Sequence, residues 1–282
     1  MGNLNSLITI FTGGHIMRKR LHLSPFGAIA ILSALLLATA GFTPAAKAQS
    51  DSQDKVCKQY EFAMGLRYQQ KSAEIDALQH QAFNLARMKL DSKIAAHDGD
   101  EKLAIVTDVD ETLIDNSPLL VRDMRNCHTF TTWDTWGHWE REGVPTLNPG
   151  AKAFLDHVDR KGVAIFYVSN RFGANKPDTI RTLQDLGLPQ VSKDSVMLWS
   201  EGNPKTKRRA KVRENHKIVL LLGDTLADFS GMFEGSLQEQ CTAVQENAAK
   251  FGTDWIVFPN ATYGDWTEAE LEGWDAPMKI AE

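Results

Sequence analysis

The chain has 282 residues, and its 36 acidic residues outnumber its 31 lysines and arginines. Residues 1–48 hold four of the basic residues and no acidic one, so the rest of the chain carries 27 basic against 36 acidic groups, a net charge of −9. This balance disfavours a nucleic-acid polymer as a partner, because the phosphate backbone is recognised by clustered lysines and arginines. The part after residue 48 is long enough for one large domain, or for a domain with an appendage.

The N-terminal region has the pattern of a targeting segment. A basic cluster at 18–20 precedes an uncharged apolar run at 26–42, and the small residues at 46–48 suit a cleavage site. We predict that residues 1–48 are a cleaved signal peptide. The protein would then be periplasmic or secreted, and after cleavage it would be soluble and not bound to the membrane. The alternative is an uncleaved membrane anchor, since the apolar run is long for a signal core.

Residues 49–98 are predicted to form an N-terminal helical arm. Between 52 and 96 there is no proline, and apolar residues such as Ile75, Ala82 and Leu85 recur at helical spacing. From residue 103 onward the pattern changes to short apolar runs without polar alternation, which is typical of strands buried on both faces. These runs lie at 103–106, 163–169, 196–199, 217–223 and 255–259.

Helical stretches at 148–162, 176–187 and 236–251 separate these runs. Alternating strands and helices predict a parallel sheet covered on both sides, a three-layer α/β fold of Rossmann-like type over residues 99–282. A small insertion near 118–147 would form a cap. In such folds ligands bind at the carboxyl ends of the strands.

Polar residues cluster at three of the predicted strand ends. Asp108 and Asp110 follow the first run, Ser169, Asn170 and Arg171 follow the second, and Asp224 and Asp228 follow the fourth; Lys205 lies between the last two groups. Four neighbouring carboxylates need a counter-charge. Ligands that are all oxygen indicate a hard divalent ion, with Mg²⁺ the first choice.

The arrangement resembles that of the haloacid dehalogenase-like phosphohydrolases, and within them the bacterial class C nonspecific acid phosphatases of the lipoprotein e type. Their D-x-D-x-T motif matches residues 108–112, the strand-end Ser matches Ser169, the Lys matches Lys205, and G-D-[NT]-L-x-D-F matches 223–229 at every position. The segments 72–83 and 258–266 also resemble family segments. Four motifs in order at strand ends are far more specific than a lone D-x-D.

The resemblance implies a phosphomonoesterase reaction through an aspartyl-phosphate. Asp108 would attack phosphorus, and Asp110 would protonate the leaving oxygen and then activate water. Phosphate would be bound by Thr112, Ser169, Asn170 and Lys205, with Arg171 as a further helper. Mg²⁺ would be bound by Asp108, by Asp110 through its backbone carbonyl, by Asp224, and by Asp228 either directly or through water.

Several of these residues have a structural alternative. Glu111 and Asp115 are expected to be solvated turn or helix residues, and Asp228 could cap the following helix. The basic stretch 205–213 is expected to be a solvated helix face with only Lys205 in the site, although Lys207 or Arg208 could take the place of Lys205.

Aromatic residues offer a surface for the organic part of a substrate. Trp133, Trp136 and Trp139 lie three apart, nearly on one side of a helix, and either line a pocket or pack in the core. Trp133 and Trp136 are the better pocket candidates, and Tyr263 with Trp266 forms a weaker pair. Leu119 stands where the family often has an aromatic residue, so stacking of a nucleotide base is expected to suffer.

The expected function is that of an exported Mg²⁺-dependent acid phosphatase for small phosphomonoesters, including nucleoside monophosphates, the substrates of 5'-nucleotidases. Two alternatives are a phosphotransferase that uses the same residues and a protein that binds haem or an aromatic ligand on a phosphatase scaffold. Cys57, Cys127 and Cys241 allow one disulfide and a spare thiol, or three thiols. The sequence leaves open both the pairing and whether the protein is a homodimer.

Overall fold

The computed structural model describes residues 57–129, 132–273 and 275. The predicted signal peptide, its cleavage site and the start of the helical arm lie outside the described residues. Within the described ranges, no helix is long and apolar enough to cross a membrane.

A five-stranded parallel sheet forms the centre of the protein, with strand order β5-β4-β1-β6-β7. All five apolar runs form its strands, so the predicted α/β fold is confirmed. A two-stranded antiparallel pair, β2-β3, lies outside this sheet. The strands are β1 (Leu103–Thr107), β2 (Ile114–Asp115), β3 (Thr146–Leu147), β4 (Ala164–Phe172), β5 (Val196–Trp199), β6 (Lys217–Gly223) and β7 (Trp255–Val257).

Eight α-helices accompany the strands in the described part of the chain. The three helices predicted between strands are α5, α6 and α8, each a few residues shorter than the predicted stretch. The helices are α1 (Ala63–Lys71), α2 (Ala73–Ala95), α3 (Ser117–Arg125), α4 (Asp134–Glu142), α5 (Ala151–Arg160), α6 (Lys176–Asp185), α7 (Lys205–Arg213) and α8 (Leu237–Glu246).

The N-terminal helices pack on the core. The Ser72 side chain accepts a hydrogen bond from the Ile75 amide and so starts α2. Phe83, Ala86 and Leu90 of α2 are buried in the largest apolar cluster, together with side chains of α5 and of the three central strands. The helix therefore covers one face of the sheet, although the boundary of 98 between arm and core remains a prediction.

The opposite face of the sheet is covered by α7, α8 and the turns after β6. Val212 of α7 packs there with Phe229, Phe233 and Trp255 in a second apolar cluster. The sheet is thus enclosed between two helical layers, the three-layer arrangement that the alternation of strands and helices predicted.

The insertion between β1 and α5 contains α3, α4 and the β2-β3 pair. Leu119 is buried in a third cluster with Leu66, Leu120 and Trp136, so this leucine supports the packing of the insertion against α1. A disulfide between Cys57 and Cys127, with a Cα–Cα distance of 5.7 Å, joins the chain before α1 to the end of α3. Cys241 is exposed and is a free thiol.

Candidate active site

Three strand ends deliver their polar residues to one cavity of about 340 Å³. The register explains this convergence, because Thr107 of β1 is level with Tyr167 of β4 and with Leu222 of β6. The cavity is lined by Asp108, Asp110, Trp133, Trp136, Glu140, Asn170, Arg171, Phe172, Trp199, Lys205, Asp224, Thr225 and Tyr263.

Lys205 is the cation at the centre of the acidic cluster. Its Nζ donates to Asp108 Oδ1 at 2.5 Å and also to Asp228 Oδ1. Burial alone would lower the pKa of Lys205, but the carboxylates of Asp108 and Asp228 raise it above its ordinary value. Burial raises the pKa of Asp108, and Asp228 and Asp224 add to this rise while Lys205 opposes it.

Asp110 is held by three different donors. Arg171 donates from Nε and Nη2 to Asp110 Oδ1 at 3.0 and 2.9 Å, Asn116 donates to the same oxygen at 2.9 Å, and Ser169 Oγ donates to Oδ2 at 3.1 Å. A carboxylate with partners on both oxygens has one fixed orientation. Arg171, expected only to assist with phosphate, therefore positions Asp110.

Asp224 and Asp228 are also fixed by hydrogen bonds. Thr112 Oγ1 donates to Asp224 Oδ1 and Asn260 Nδ2 donates to Oδ2, each at 2.9 Å. Burial, reinforced by Asp228, raises the pKa of Asp224 to about 7. Thr225 is the N-cap of a 3-10 turn, and Asp228 Oδ2 accepts from its amide and hydroxyl in a capping box. The other oxygen of Asp228 accepts from Lys205.

The cluster of Asp108, Asp224 and Asp228 suits a divalent cation. Each residue offers one carboxylate oxygen, and these oxygens lie within 4.8 Å of one another. The raised pKa values of Asp108 and Asp224 are the electrostatic consequence of bringing carboxylates together in a buried place. A bound cation would relieve this repulsion.

One wall of the cavity is aromatic. Trp133 is 45% exposed and Trp136 is buried, with ring centroids 5.8 Å apart, and Trp136 meets Tyr263 edge to face at 5.6 Å. Trp139 packs beside Trp136 in the third cluster, does not line the cavity, and donates its indole N–H to Asn116 Oδ1. The first two tryptophans therefore line the cavity, and the third, which is partly buried, does not.

Residues 31–266 match a sequence family described as HAD superfamily, subfamily IIIB (acid phosphatase). The chain belongs to this acid phosphatase family. It is also similar to the solved structure of the class C acid phosphatase from Bacillus anthracis, with 36% identity and a TM-score of 0.71, over 74% of this chain and 87% of that one. A second structure of that protein, with tungstate bound, gives 35% identity and the same TM-score and coverage.

Membership of the family makes the protein a phosphatase, a hydrolase, and removes the support for a non-catalytic ligand-binding protein on the same scaffold. It also agrees with the sequence resemblance, which rested on the four motifs at strand ends. The roles predicted for individual residues in this phosphatase remain predictions, and the structure shows where each residue lies.

Two of the predicted phosphate-binding residues of the phosphatase are fully buried. Thr112 and Ser169 do not line the cavity, and their hydroxyls donate to Asp224 and Asp110. Asn170 and Lys205 do line it. In this structure the two hydroxyls therefore support carboxylates of the site.

The expectation that Glu111 is a solvated turn residue is wrong. Its side chain is 1% exposed and accepts hydrogen bonds from the Tyr263 hydroxyl and the Asn116 amide. Burial raises its pKa well above the ordinary value. The reason is a tight turn, in which Glu111 takes a φ of 55° and its amide donates to the Ile114 carbonyl, so the side chain points inward. Asp115 accepts from the Ser117 amide at the start of α3.

The basic stretch 205–213 is only partly the solvated face that its composition indicates. Arg208 and Arg209 are 1% and 2% exposed, whereas Lys207 and Arg213 are exposed. The guanidinium of Arg208 donates to a backbone carbonyl at the end of β4, and that of Arg209 donates to one in the turn after β6. No pattern in the stretch itself reveals these acceptors.

Sequence reasoning missed Phe172, Trp199 and Glu140 of the cavity lining. Strand β4 extends to Phe172, which pairs with Trp199 of β5, and the two rings meet edge to face at 6.3 Å. Glu140 of α4 accepts from the Phe172 amide at 3.1 Å and from Asn175 Nδ2 at 2.7 Å. Burial raises the pKa of Glu140 to about 7.

Glu140 should make the stability of the phosphatase depend on pH. Its pKa rises from 4.5 to about 7 on folding, so the unfolded chain loses this proton first and the free energy of unfolding falls as pH rises from about 4.5 to 7. Glu140→Gln cannot titrate. The free energy of unfolding of the variant, relative to that of the wild type, should therefore rise by about 2–3 kcal/mol between pH 4 and pH 8, as measured by urea unfolding in EDTA. This value is smaller than the full pKa shift would give, because solvent in the cavity screens the charge of Glu140.

Glu142→Gln is the matched control, because Glu142 is exposed on the same helix. Its difference from the wild type should stay constant with pH. A constant difference for Glu140→Gln as well would contradict the raised pKa.

Proposed function

We propose that the protein is an exported, Mg²⁺-dependent acid phosphatase that hydrolyses small phosphomonoesters through an aspartyl-phosphate on Asp108. The observation that carries the proposal is the meeting of Asp108, Asp110, Lys205 and Asp224 in one cavity with an aromatic wall. Family membership supports the phosphatase reaction. The pattern of residues 1–48 supports export.

In the first step a carboxylate oxygen of Asp108 forms a bond to phosphorus while the bond to the leaving oxygen breaks. Asp110 in its acid form gives its proton to that oxygen. Lys205, which bonds to Asp108 at 2.5 Å, holds the nucleophile in place and offers positive charge close to the transferring group.

In the second step Asp110, now a carboxylate, takes a proton from water. The water oxygen attacks phosphorus, phosphate leaves, and the Asp108 carboxylate is restored. Both steps require the Asp110 carboxyl group to keep one orientation. The hydrogen bonds that it accepts from Arg171, Asn116 and Ser169 hold it in that orientation.

Asp108, Asp224 and Asp228, with the backbone carbonyl of Asp110, would hold Mg²⁺. The ion would neutralise negative charge on the transferring phosphoryl group. Support comes from the all-oxygen cluster described above, since Mg²⁺ commonly takes one or two carboxylates, waters and substrate phosphate. The tungstate bound to the relative from Bacillus anthracis is an oxyanion, which agrees with a site built for phosphate.

Nucleoside monophosphates are the proposed substrate class. Trp133, Trp136 and Tyr263 offer ring surfaces close to the acidic cluster, and flat rings bind aromatic groups at little entropic cost. Leu119 is buried and does not line the cavity, so its difference from the family pattern leaves this wall intact.

The test is phosphate release by the mature protein from p-nitrophenyl phosphate, AMP and ribose 5-phosphate, across pH 4 to 8, with Mg²⁺ or with EDTA. We expect activity that is highest at mildly acidic pH and falls about 100-fold or more in EDTA, with recovery when Mg²⁺ is restored. AMP and ribose 5-phosphate differ only by the base, so a higher kcat/KM for AMP would support base stacking.

Each part of the proposal can fail separately. Full activity in EDTA would reject the metal, and equal kcat/KM for AMP and ribose 5-phosphate would reject the nucleotide preference. A phosphotransferase would instead transfer phosphate to an added alcohol such as glycerol, with less free phosphate than released alcohol.

A further inference from the structure

Helix α7 carries two buried arginines beside the lysine of the site. Arg208 and Arg209 follow Lys205 by one turn, and both are almost wholly shielded from solvent. Within the described residues, no carboxylate lies within salt-bridge distance of either guanidinium. Burying a charge without a counter-ion is costly, so both arginines need another structural or functional justification.

Arg208 joins the ends of β4 and β5. Its Nη1 donates to the carbonyls of Ser169 at 2.5 Å and Met197 at 3.0 Å, and its Nη2 donates to Asn170 Oδ1 at 2.7 Å. Two of these acceptors belong to the strand end where phosphate binding is proposed. The fork of the guanidinium thus sets both the backbone and the Asn170 side chain at the cavity.

Arg209 contacts a different loop. Its Nη1 donates to the carbonyls of Ala227 at 3.0 Å and Asp228 at 2.8 Å, in the turn after β6. The side chain of Asp228 belongs to the carboxylate cluster that suits a cation. Arg209 therefore fixes the backbone from which a proposed metal ligand extends.

We propose that Arg208 and Arg209 are positioning residues with separate tasks, Arg208 for the phosphate-binding end of β4 and Arg209 for the metal-binding turn after β6. This inference rests on the proposed function. Helix α7 is the common support, because Lys205 at its start bonds to both Asp108 and Asp228. Because Arg208 and Arg209 are adjacent on this helix, they hold the end of β4 and the turn after β6 in fixed positions relative to each other.

The separation follows from the acceptors. Arg208 makes no hydrogen bond to the turn 224–228, and Arg209 makes none to 169–170, within the described structure. A single lysine ammonium cannot replace Nη1 and Nη2 of Arg208 at once, and the shorter lysine side chain does not reach the position of Arg209 Nη1. Each arginine-to-lysine change should thus loosen one segment of the site while keeping the charge.

The experiment measures Mg²⁺ affinity and phosphate affinity separately in Arg208→Lys and Arg209→Lys. Mg²⁺ binding is followed by calorimetry without substrate, and inorganic phosphate is titrated as a competitive inhibitor at saturating Mg²⁺. We expect Arg209→Lys to weaken Mg²⁺ binding about 10-fold, the usual effect of removing support from a metal ligand, with phosphate inhibition within twofold of the wild type.

Arg208→Lys should show the reverse pattern, with KM and the phosphate inhibition constant raised about 10-fold because the end of β4 is misplaced, and with Mg²⁺ binding within twofold. Arg213→Lys is the control, because Arg213 is exposed on the same helix, and it should change neither affinity.

Equal losses of both affinities in each variant would overturn the inference, as would no change in either. A lysine variant that does not fold at 25 °C would also overturn it, since the arginine would then serve stability as a whole. The wild type separates this failure from that of the proposed function. If it binds neither Mg²⁺ nor phosphate, the proposed function fails, and if it binds both while the variants do not separate, only the positioning roles fail.

Discussion

Asp108→Asn is expected to abolish turnover while the protein stays folded. The amide has nearly the shape of the carboxylate but is not a nucleophile, so no aspartyl-phosphate can form. We expect kcat to fall by about 10⁴- to 10⁶-fold, as for other enzymes that lose their nucleophile. The measurement is phosphate release from p-nitrophenyl phosphate at saturating Mg²⁺.

Stability should not decline with the activity. Burial raises the pKa of Asp108, so in the folded protein near neutral pH its charged form is held at a cost, which the neutral amide removes. Lys205 keeps Asp228 as a partner in the variant. In EDTA at pH 7, the melting temperature of Asp108→Asn should therefore equal or exceed that of the wild type.

Asp115→Asn is the matched control in the same segment. Asp115 accepts a hydrogen bond from the Ser117 amide at 2.8 Å, a task that an amide oxygen can perform. Its kcat should stay within about threefold of the wild type, the level expected for a surface substitution. Activity of Asp108→Asn near the wild-type value, after exclusion of deamidation to Asp by mass spectrometry, would reject Asp108 as the nucleophile.

Lys205→Met is expected to damage activity and stability together. Removing the ammonium leaves Asp108 and Asp228 buried and without the cation that bonds to both. We expect kcat/KM to fall about 10³-fold through lost stabilisation of the phosphoryl group. In EDTA at pH 7, the free energy of unfolding should fall by about 3–5 kcal/mol, the usual penalty for breaking a buried pair.

The loss of stability in Lys205→Met should depend on pH because two pKa values are shifted in the folded protein. The pKa of Lys205 is raised, so its charge and its stabilising contribution are present throughout pH 4 to 8. Burial raises the pKa of Asp108, so its carboxylate, unpaired in the variant, accepts a proton more readily as the pH falls. The loss of stability in Lys205→Met should accordingly be smaller at pH 5 than at pH 7, as urea unfolding can measure.

Lys207→Met distinguishes Lys205 from the other lysine of the same helix turn. Lys207 is exposed, and its Nζ donates to the Gly202 carbonyl. Its loss should leave kcat/KM within about twofold of the wild type. A large loss in Lys207→Met, with little change in Lys205→Met, would reassign the catalytic cation and remove the basis for the proposed electrostatics of the site.

The sequence by itself determined the fold and which aspartates meet at the site. Five apolar runs without polar alternation are the five strands, because a strand buried on both faces admits few polar side chains. Asp108 and Asp224 could be placed together since parallel strands end at one edge. Both inferences depend on local patterns combined with a general rule of topology.

Tertiary structure decided how the side chains around these acids are held. Arg171 and Glu140 acquire their partners across 61 and 32 residues of sequence, and Arg208 meets the Ser169 carbonyl across 39. Glu111 is buried although its neighbours resemble a solvated turn. Periodicity reports only which face of its own element a residue occupies. The carbonyls, amides and rings that contact a given side chain come from segments distant in sequence, and they are fixed only when those segments pack together. That packing supplies the hydrogen-bond partners of the buried charges.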